Sequence, residues 1–268
     1  MPRRHQRDAQ CRRQRRRPAD LADADCGGVQ RLPGGGCALP VVGRPEEPRV
    51  GRGLCPVAHS LPLLTRLSLE SRAVSEITVP TVYFEKPGPQ NTERTLEAAR
   101  QRAEQLDIHT ILVATTTGAT GARAVEVFEG YDVVVVTHST GFRKPNEQEL
   151  RPEHQATIES KGGRILTCQH AFGGVNRAVR KKLGTYLIDE IIAYTLRIFG
   201  EGTKVCLEIA LMAADAGLVR VGEPCIAIAG TGRGADTALV LVPANAQAFF
   251  DLRVMEVLAK PRLAPTGA

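Results

Sequence analysis

No run of apolar residues reaches the roughly 18 that a membrane-spanning helix requires, so nothing in this chain is expected to cross a bilayer. CxxC pairs, His-x-x-x-His spacings and clustered carboxylates are all missing, and no metal site is expected. Neither a G-x-S-x-G elbow nor a Walker loop occurs, which argues against a serine-hydrolase site and a P-loop nucleotide site. There is no secretory apolar segment at the N-terminus and no internal repeat. Of 7 cysteines, Cys11, Cys26, Cys37 and Cys55 fall in the first quarter, leaving Cys168, Cys206 and Cys225. This usage predicts a reducing, cytoplasmic setting without a disulfide framework.

A second set of absences is local. Residues 1–75 contain no Lys, Ile, Phe, Tyr or Asn, yet they hold 14 Arg against 7 acidic residues, a net +7. The remaining residues carry 21 basic and 22 acidic side chains, so the +6 of the whole chain belongs to this tail. A basic nucleic-acid face on the folded part is therefore not expected. The low hydrophobicity and Arg/Pro/Gly content of residues 1–75 predict disorder. Residue types with GC-rich codons dominate there, which suits a start site assigned too early, with Val74 as an alternative start. A nucleic-acid arm built on Arg12-Arg13-Gln14-Arg15-Arg16-Arg17 is the functional reading of the same stretch.

What is present is organised around residues 109–142, HTILVATTTGATGARAVEVFEGYDVVVVTHSTGF. Ile111 to Ala114 has the length of a strand. Thr115-Thr116-Thr117-Gly118-Ala119-Thr120-Gly121 is a hydroxyl- and glycine-rich turn, Ala122 to Phe128 a short helix, and Val133 to Val136 a strand buried on both faces. Strand, helix and strand make a βαβ unit, with the Thr/Gly loop at the helix start, where unpaired amides and the helix dipole favour an anion. Before it, Thr81–Phe84 reads as a strand and Asn91 or Thr92 as the cap of a helix ending near Leu106. After it, a helix begins at Pro152, and Arg164–Cys168 reads as a third inner strand. Basic residues 175–182, residues 186–199 and residues 204–216 read as helices. Residues 225–229, 238–242 and 254–258 read as strands, with Phe249 and Phe250 packing between the last two. Strands alternating with helices predict an α/β fold of three layers, a mostly parallel sheet with helices on both faces.

Ligands of such sheets collect beyond the strand carboxyl ends. Four polar, glycine-rich loops leave strands there: Lys86–Thr92, Thr115–Gly121, Thr137–Phe142 and Gly230–Asp236. The candidate phosphate- or ligand-binding residues are Thr115, Thr116, Thr117, Gly118, Thr120, Gly121, His138, Ser139, Thr140, Gly141, Gly230, Thr231, Gly232, Arg233, Gly234 and Asp236, with Lys86, Asn91, Phe142 and His170 as additions. Arg233, with Lys86 and Arg143, could pair with an anion, and Asp236 could hold a sugar hydroxyl. His138 and His170 are acid/base candidates because imidazole titrates near neutrality. Cys168 is a small buried residue by default and a nucleophile only by exception. Glu208 stands in the apolar run Val205–Ala214 and must be paired. Asp215, near the end of that helix, has no evident reason.

At these residues a resemblance can be stated. ILVATTTGATGARAVEVFEGYDVVVVT, and GEPCIAIAGT followed by Gly234 and Thr237, are similar to the C-terminal α/β domain of pyruvate kinases. From Val79 to about Arg262 the chain resembles stand-alone proteins of pyruvate kinase α/β-domain type, on the segments YFEKPGPQNT, THSTGF, KVCLEIALMAADAG and GRGADTALVL. Residues 79–262 are thus the expected domain. The resemblance implies a regulatory fold without the catalytic barrel, so the chain by itself is not expected to be a pyruvate kinase. In some members this domain binds a sugar bisphosphate. The Thr115–Thr120 loop matches the family's phosphate-cradling loop and Gly230–Gly234 its effector loop, whereas Arg143–Gly202 departs from the pattern.

The leading expectation is a binding protein for a phosphorylated small molecule or nucleotide. Flavin mononucleotide is one candidate, its phosphate on the Thr loop and its ring against Phe142. One alternative is an enzyme on a phosphorylated substrate using His138 or His170. The other is a homo-oligomeric interaction protein, built through the 186–199 helix and broken by a charge at Ile191 or Ile192.

Overall fold

The computed structural model describes residues 75–263, and the expected tail up to Val74 lies outside the described residues. Seven strands form one sheet: β1 (Val82–Phe84), β2 (Thr110–Ala114), β3 (Asp132–Val136), β4 (Arg164–Leu166), β5 (Cys225–Ala229), β6 (Thr237–Val242) and β7 (Arg253–Pro261). Their spatial order is β1-β7-β6-β5-β2-β3-β4. β6 alone runs against the rest. It pairs antiparallel with β5 and β7, while the other four pairings are parallel.

Helices cover both faces, and the alternation along each strand explains why both are apolar. Ile111, Val113, Val133, Val135, Ile226 and Ile228 point to the side of α1 (Thr92–Leu106), α2 (Ala119–Val127) and α3 (Pro152–Ser160), meeting Leu96, Val125, Phe128 and Ile158. Leu112, Val134, Val136, Ala227, Leu239 and Leu241 point the other way, into α6 (Glu201–Asp215). A side chain on each face of every residue pair is the period-2 rule of strands, and burial on both faces is why these strands read as continuous apolar runs. α6 is buried along most of its length, from Cys206 to Ala214, because the sheet lies on one side and α5 (Ile188–Arg197) on the other. α4 (Gly174–Leu183) lies beside α5 and has no fully buried residue.

Several expected boundaries move. α2 begins at Ala119, a turn earlier than Ala122, because Gly118 takes φ 96° and turns the chain into the helix; Thr120 and Gly121 therefore lie in its first turn. β4 is a three-residue strand at the sheet edge, not an inner strand. Its Arg164 is held by Asp132 of β3 and by the carbonyl of Leu218, and pairing ends at Leu166. α5 starts at Ile188 and α6 at Glu201, just after Gly200 at φ 123°. Phe249 packs edge-on against Phe172 in the α6-side core, whereas Phe250 points outward. Asn91 stands at the α1 cap position, but its side chain donates to the Lys86 carbonyl and caps nothing.

The reason for Asp215 is now visible. Its Oδ1 accepts from Asn245 Nδ2 and from the Ala246 amide, both at 3.0 Å, satisfying the start of the 3-10 turn Ala246–Asp251. No described helix is long and apolar enough to cross a membrane.

Candidate functional site

Strands β2, β3 and β4 step toward one edge of the sheet, and β5 returns to the other side of β2. Strand order thus reverses between β2 and β5, the place where open α/β sheets leave a crevice at their carboxyl ends. The predicted loops all emerge at this end, but the fold sorts them into two groups.

The first group is a closed brace. The Asp236 carboxylate, fully buried, accepts from the Gly88 amide at 3.0 Å, the Thr231 amide at 3.1 Å and the Thr237 hydroxyl at 2.9 Å. Thr92 Oγ1 accepts from the Ala235 amide at 3.0 Å and donates to the Pro89 carbonyl at 2.7 Å. Gly234, at φ 69°, is pressed against Pro89 so closely that a Cβ there would lie 2.5 Å from the Pro89 Cα. Gly230 is pressed on the Gly234 carbonyl in the same way. These bonds clamp the β1 exit loop onto the β5–β6 loop. Asp236 is thereby engaged within the protein and not free to hold a sugar hydroxyl, and Asn91 is likewise engaged by Lys86. Gly232, Arg233 and Lys86 remain on the surface.

The second group is the candidate site. It gathers the exits of β2, β3 and β4. Thr115, buried, donates its amide to the Val136 carbonyl, which holds the β2 exit against the end of β3. Its hydroxyl accepts from the Gly118 amide at 3.1 Å and so shapes the turn into α2. The next amides, of Ala119, Thr120 and Gly121, open α2, where a helix has no acceptor of its own to offer. Thr116 and Thr117 are half-buried beside them. Gly118 is tightly covered: a Cβ there would sit 2.5 Å from His154 Cβ and 2.7 Å from Leu150 Cδ1. Gly121 lies equally close to Val135.

The β3 exit loop turns back on itself. The Gly141 amide donates to the Glu147 carbonyl at 2.9 Å, Gln148 Nε2 donates to the His138 carbonyl at 3.0 Å, and the Arg151 amide donates to the Thr117 carbonyl at 3.1 Å. Residues 147–151 therefore run as a strap from the β3 loop to the β2 loop. The strap delivers Glu149, whose Oε2 lies 2.7 Å from His138 Nδ1 and whose Oε1 lies 2.8 Å from Arg143 Nε.

His138, Phe142 and His170 form a ring triangle, with centroid separations of 4.2, 4.9 and 5.4 Å. Arg177 of α4 sits 5.0 Å from the Phe142 ring. The Ser139 amide donates to His170 Nε2 at 3.3 Å, which places the His170 proton on Nδ1. Burial, opposed by Glu208 and reinforced by His138, Lys204 and Arg177, pulls the His170 pKa down to about 4. His170 is thus neutral near pH 7. Thr140 and Gly141 are at the exposed tip of the loop.

Beneath this cluster Glu208 is paired, as an acid in an apolar run must be. Oε2 takes the Lys204 ammonium, one turn away, and Oε1 accepts from the Phe172 amide at 3.1 Å. Burial lowers the Lys204 pKa, while Glu208 holds it up. Cys168 is half-buried, and burial together with Asp215 raises its pKa, so it stays a thiol and is a poor nucleophile. It lines, with Gln169, His170, Met212 and Asp215, a groove of about 320 Å³ behind the ring cluster. Among the described residues no group of three His, Cys, Asp or Glu is placed to hold a metal ion.

His138, Ser139, Phe142 and His170 come together, and the Thr115–Val136 bond sets the β2 exit beside the end of β3; the sequence had pooled these loops with those of Lys86–Thr92 and Gly230–Asp236, which the fold holds apart in the brace. Glu149 and Arg177 were missed. Glu149 sits in an irregular polar stretch, and Arg177 in a helix whose charge pattern looks like an ordinary solvated face; no spacing ties either to His138.

Two crystal structures of pyruvate kinase from Cryptosporidium parvum are similar to this chain at 13% and 14% identity, covering 57% and 59% of it, each with a TM-score of 0.31. The match spans only 23% of each of those enzymes. Residues 93–241, more than half of the 268 and spanning β2 to β5 and all but the last residue of β6, match the model of the pyruvate kinase alpha/beta domain, and the chain belongs to that family.

Proposed function

We propose that this protein binds a phosphorylated small molecule across the exits of β2 and β3. The phosphate would sit on the Thr116–Thr117 turn and the first amides of α2, and the rest of the ligand would extend toward His138 and Phe142. The observation that carries this reading is the adjacency of an amide-rich helix start and an oriented, partly exposed imidazole, joined by the Thr115–Val136 bond between the β2 and β3 exits. Helix N-termini favour anions through their free amides and dipole. Arg177 adds positive charge against the Phe142 ring, and Arg143 is held at the same loop by Glu149.

Thermal-shift and calorimetric titration of the full chain with inorganic phosphate, a sugar bisphosphate, adenosine monophosphate and flavin mononucleotide tests it. At least one ester should stabilise the protein, and a Thr117→Asp variant, which places a carboxylate where the phosphate belongs, should lose that response. No shift with any ester, and no phosphate ester retained in native mass spectra of freshly purified protein, would count against it.

A second reading is supported by one distance. His138 Nδ1 faces the Glu149 carboxylate at 2.7 Å, which leaves Nε2 as the atom able to take or give a proton. An enzyme acting on a phosphorylated substrate would use that atom as acid or base. A His138→Gln variant that binds the ester normally but abolishes turnover favours this reading; activity unchanged by the substitution removes it.

A further inference from the structure

α5 is apolar on two sides: Ile192, Ala193 and Leu196 pack inward against the core, and a second apolar stripe faces outward. Its buried residues are Glu190 and Ala193, and Glu190 is tied to Arg180 of α4 at 2.7 Å. Ile188, Ile191 and Ile198 point outward, 64%, 51% and 71% exposed, with Tyr194 and Phe199 beside them and Tyr186 stacked edge-on against Tyr194. Ile192, the neighbour of Ile191, packs inward against the core. An apolar stripe normally turns toward the core. Here Ile192, Ala193 and Leu196 already fill the core side, and the outer stripe has nothing of the described chain to cover it.

We propose that α5 is the interface of a two-fold symmetric homodimer, in which Ile188, Ile191, Thr195 and Ile198 of one copy pack antiparallel against the same four residues of a second copy. Their spacing of three, four and three is the seam of a coiled coil. Antiparallel overlay places Ile188 against Ile198 of the second copy and Ile191 against Thr195, so the stripe is its own complement, as a two-fold interface demands. No charge interrupts the seam. Asp189, Glu190 and Arg197 are engaged by Asn176, Arg180 and Glu201 respectively. The Thr195 hydroxyl already donates to the Ile191 carbonyl, so it brings no unpaired donor into the seam. Tyr186, Ile188, Ile191, Tyr194, Ile198 and Phe199 together expose on the order of 650 Å², more than the largest patch of most monomers. That is close to the roughly 800 Å² each partner contributes to a standard interface.

Sedimentation equilibrium of the full chain at tens of micromolar tests the proposal. The expected mass is twice 28.9 kDa. Ile191→Glu should raise the dissociation constant by about 100-fold or more while leaving the melting curve of the monomer intact, since the side chain is exposed. Ile198→Asp should do the same. Phe250→Glu, at an exposed apolar residue elsewhere, should leave the dimer unchanged. Ile188→Lys should dissociate it, and Ile188→Lys combined with Ile198→Glu should restore it, because the two positions face each other only between copies. A wild-type monomer at these concentrations overturns the proposal, as does a dimer indifferent to both Ile191→Glu and Ile198→Asp. So does a double variant no better than Ile188→Lys alone. Co-sedimentation of a monomer with phosphatidylglycerol vesicles, lost on Ile191→Glu, would assign the stripe to a lipid surface instead.

Discussion

His138 Nδ1 and Glu149 Oε2 stand 2.7 Å apart although the residues are separated by a full loop and strap. The same carboxylate holds Arg143 through its other oxygen. One side chain therefore sets the orientation of both the imidazole and a guanidinium at the mouth of the crevice. Glu149→Ala should release both. Imidazole 15N shifts report the outcome: His138 is expected to hold its proton on Nδ1 in the wild type and to populate both tautomers in the variant. The stability loss should be modest, about 1 kcal/mol, because the Arg143 side chain is largely solvated.

His170 makes the folded state sensitive to acid. Its folded pKa of about 4 lies below the ordinary 6.5. Between those values the unfolded chain takes up a proton that the folded chain does not, so stability falls as pH drops through this window and is fully present above it. Replacing His170 with Gln should flatten the pH dependence of urea unfolding between pH 6.5 and 4 by on the order of 2 kcal/mol. An unchanged slope would show that folding leaves the His170 pKa at its ordinary value.

Lys204 and Glu208 are a buried pair with an extra acceptor role for Glu208 at the Phe172 amide. Lys204→Met leaves a buried carboxylate without its cation, and about 3–5 kcal/mol should be lost. The double variant Lys204→Met/Glu208→Gln should recover part of that loss, since Gln still accepts from Phe172. Chemical denaturation of the three proteins measures it.

Gly118 combines φ 96° with contact against His154 and Leu150. Gly118→Ala should destabilise by about 2 kcal/mol or more, and any ester response should fall with it because the α2 amides move.

Asp236→Ala removes the acceptor for Gly88, Thr231 and Thr237 at once. A loss of about 3 kcal/mol or more is expected, with faster amide exchange at Gly88 and Thr231. Ester affinity measured below the melting transition should be little changed, which separates the brace from the crevice.

The layered fold was legible because the strands announce themselves. Ile111–Ala114, Val133–Val136 and Cys225–Ala229 are short apolar runs bounded by turn residues, and of the stripe expected on α1 at Leu96, Ala99, Ala103 and Leu106 the first three are buried while Leu106, at the helix end, is exposed. The edge position of β4 was not legible, because three half-buried residues look like any short strand until their neighbours are known. Glu208 was readable as a paired acid from its apolar surroundings, whereas Asp215 acquires its reason only from Asn245 and Ala246, 30 residues and more away.

The sequence by itself determined the alternation of elements, the family, and the loops that leave the sheet, because hydrophobic period and glycine placement act locally. Only the tertiary structure decided which loops meet. Asp236 and His138 sit in equally polar loops, yet strand order sends one into a closed brace and the other to the crevice mouth. It also decided which way α5 faces. Ile188, Ile191, Ile192, Ala193, Leu196 and Ile198 carry apolar surface around most of the helix in the sequence, and periodicity carries no information on which of them meet the core; packing against α6 took Ile192, Ala193 and Leu196 and left Ile188, Ile191 and Ile198 outside.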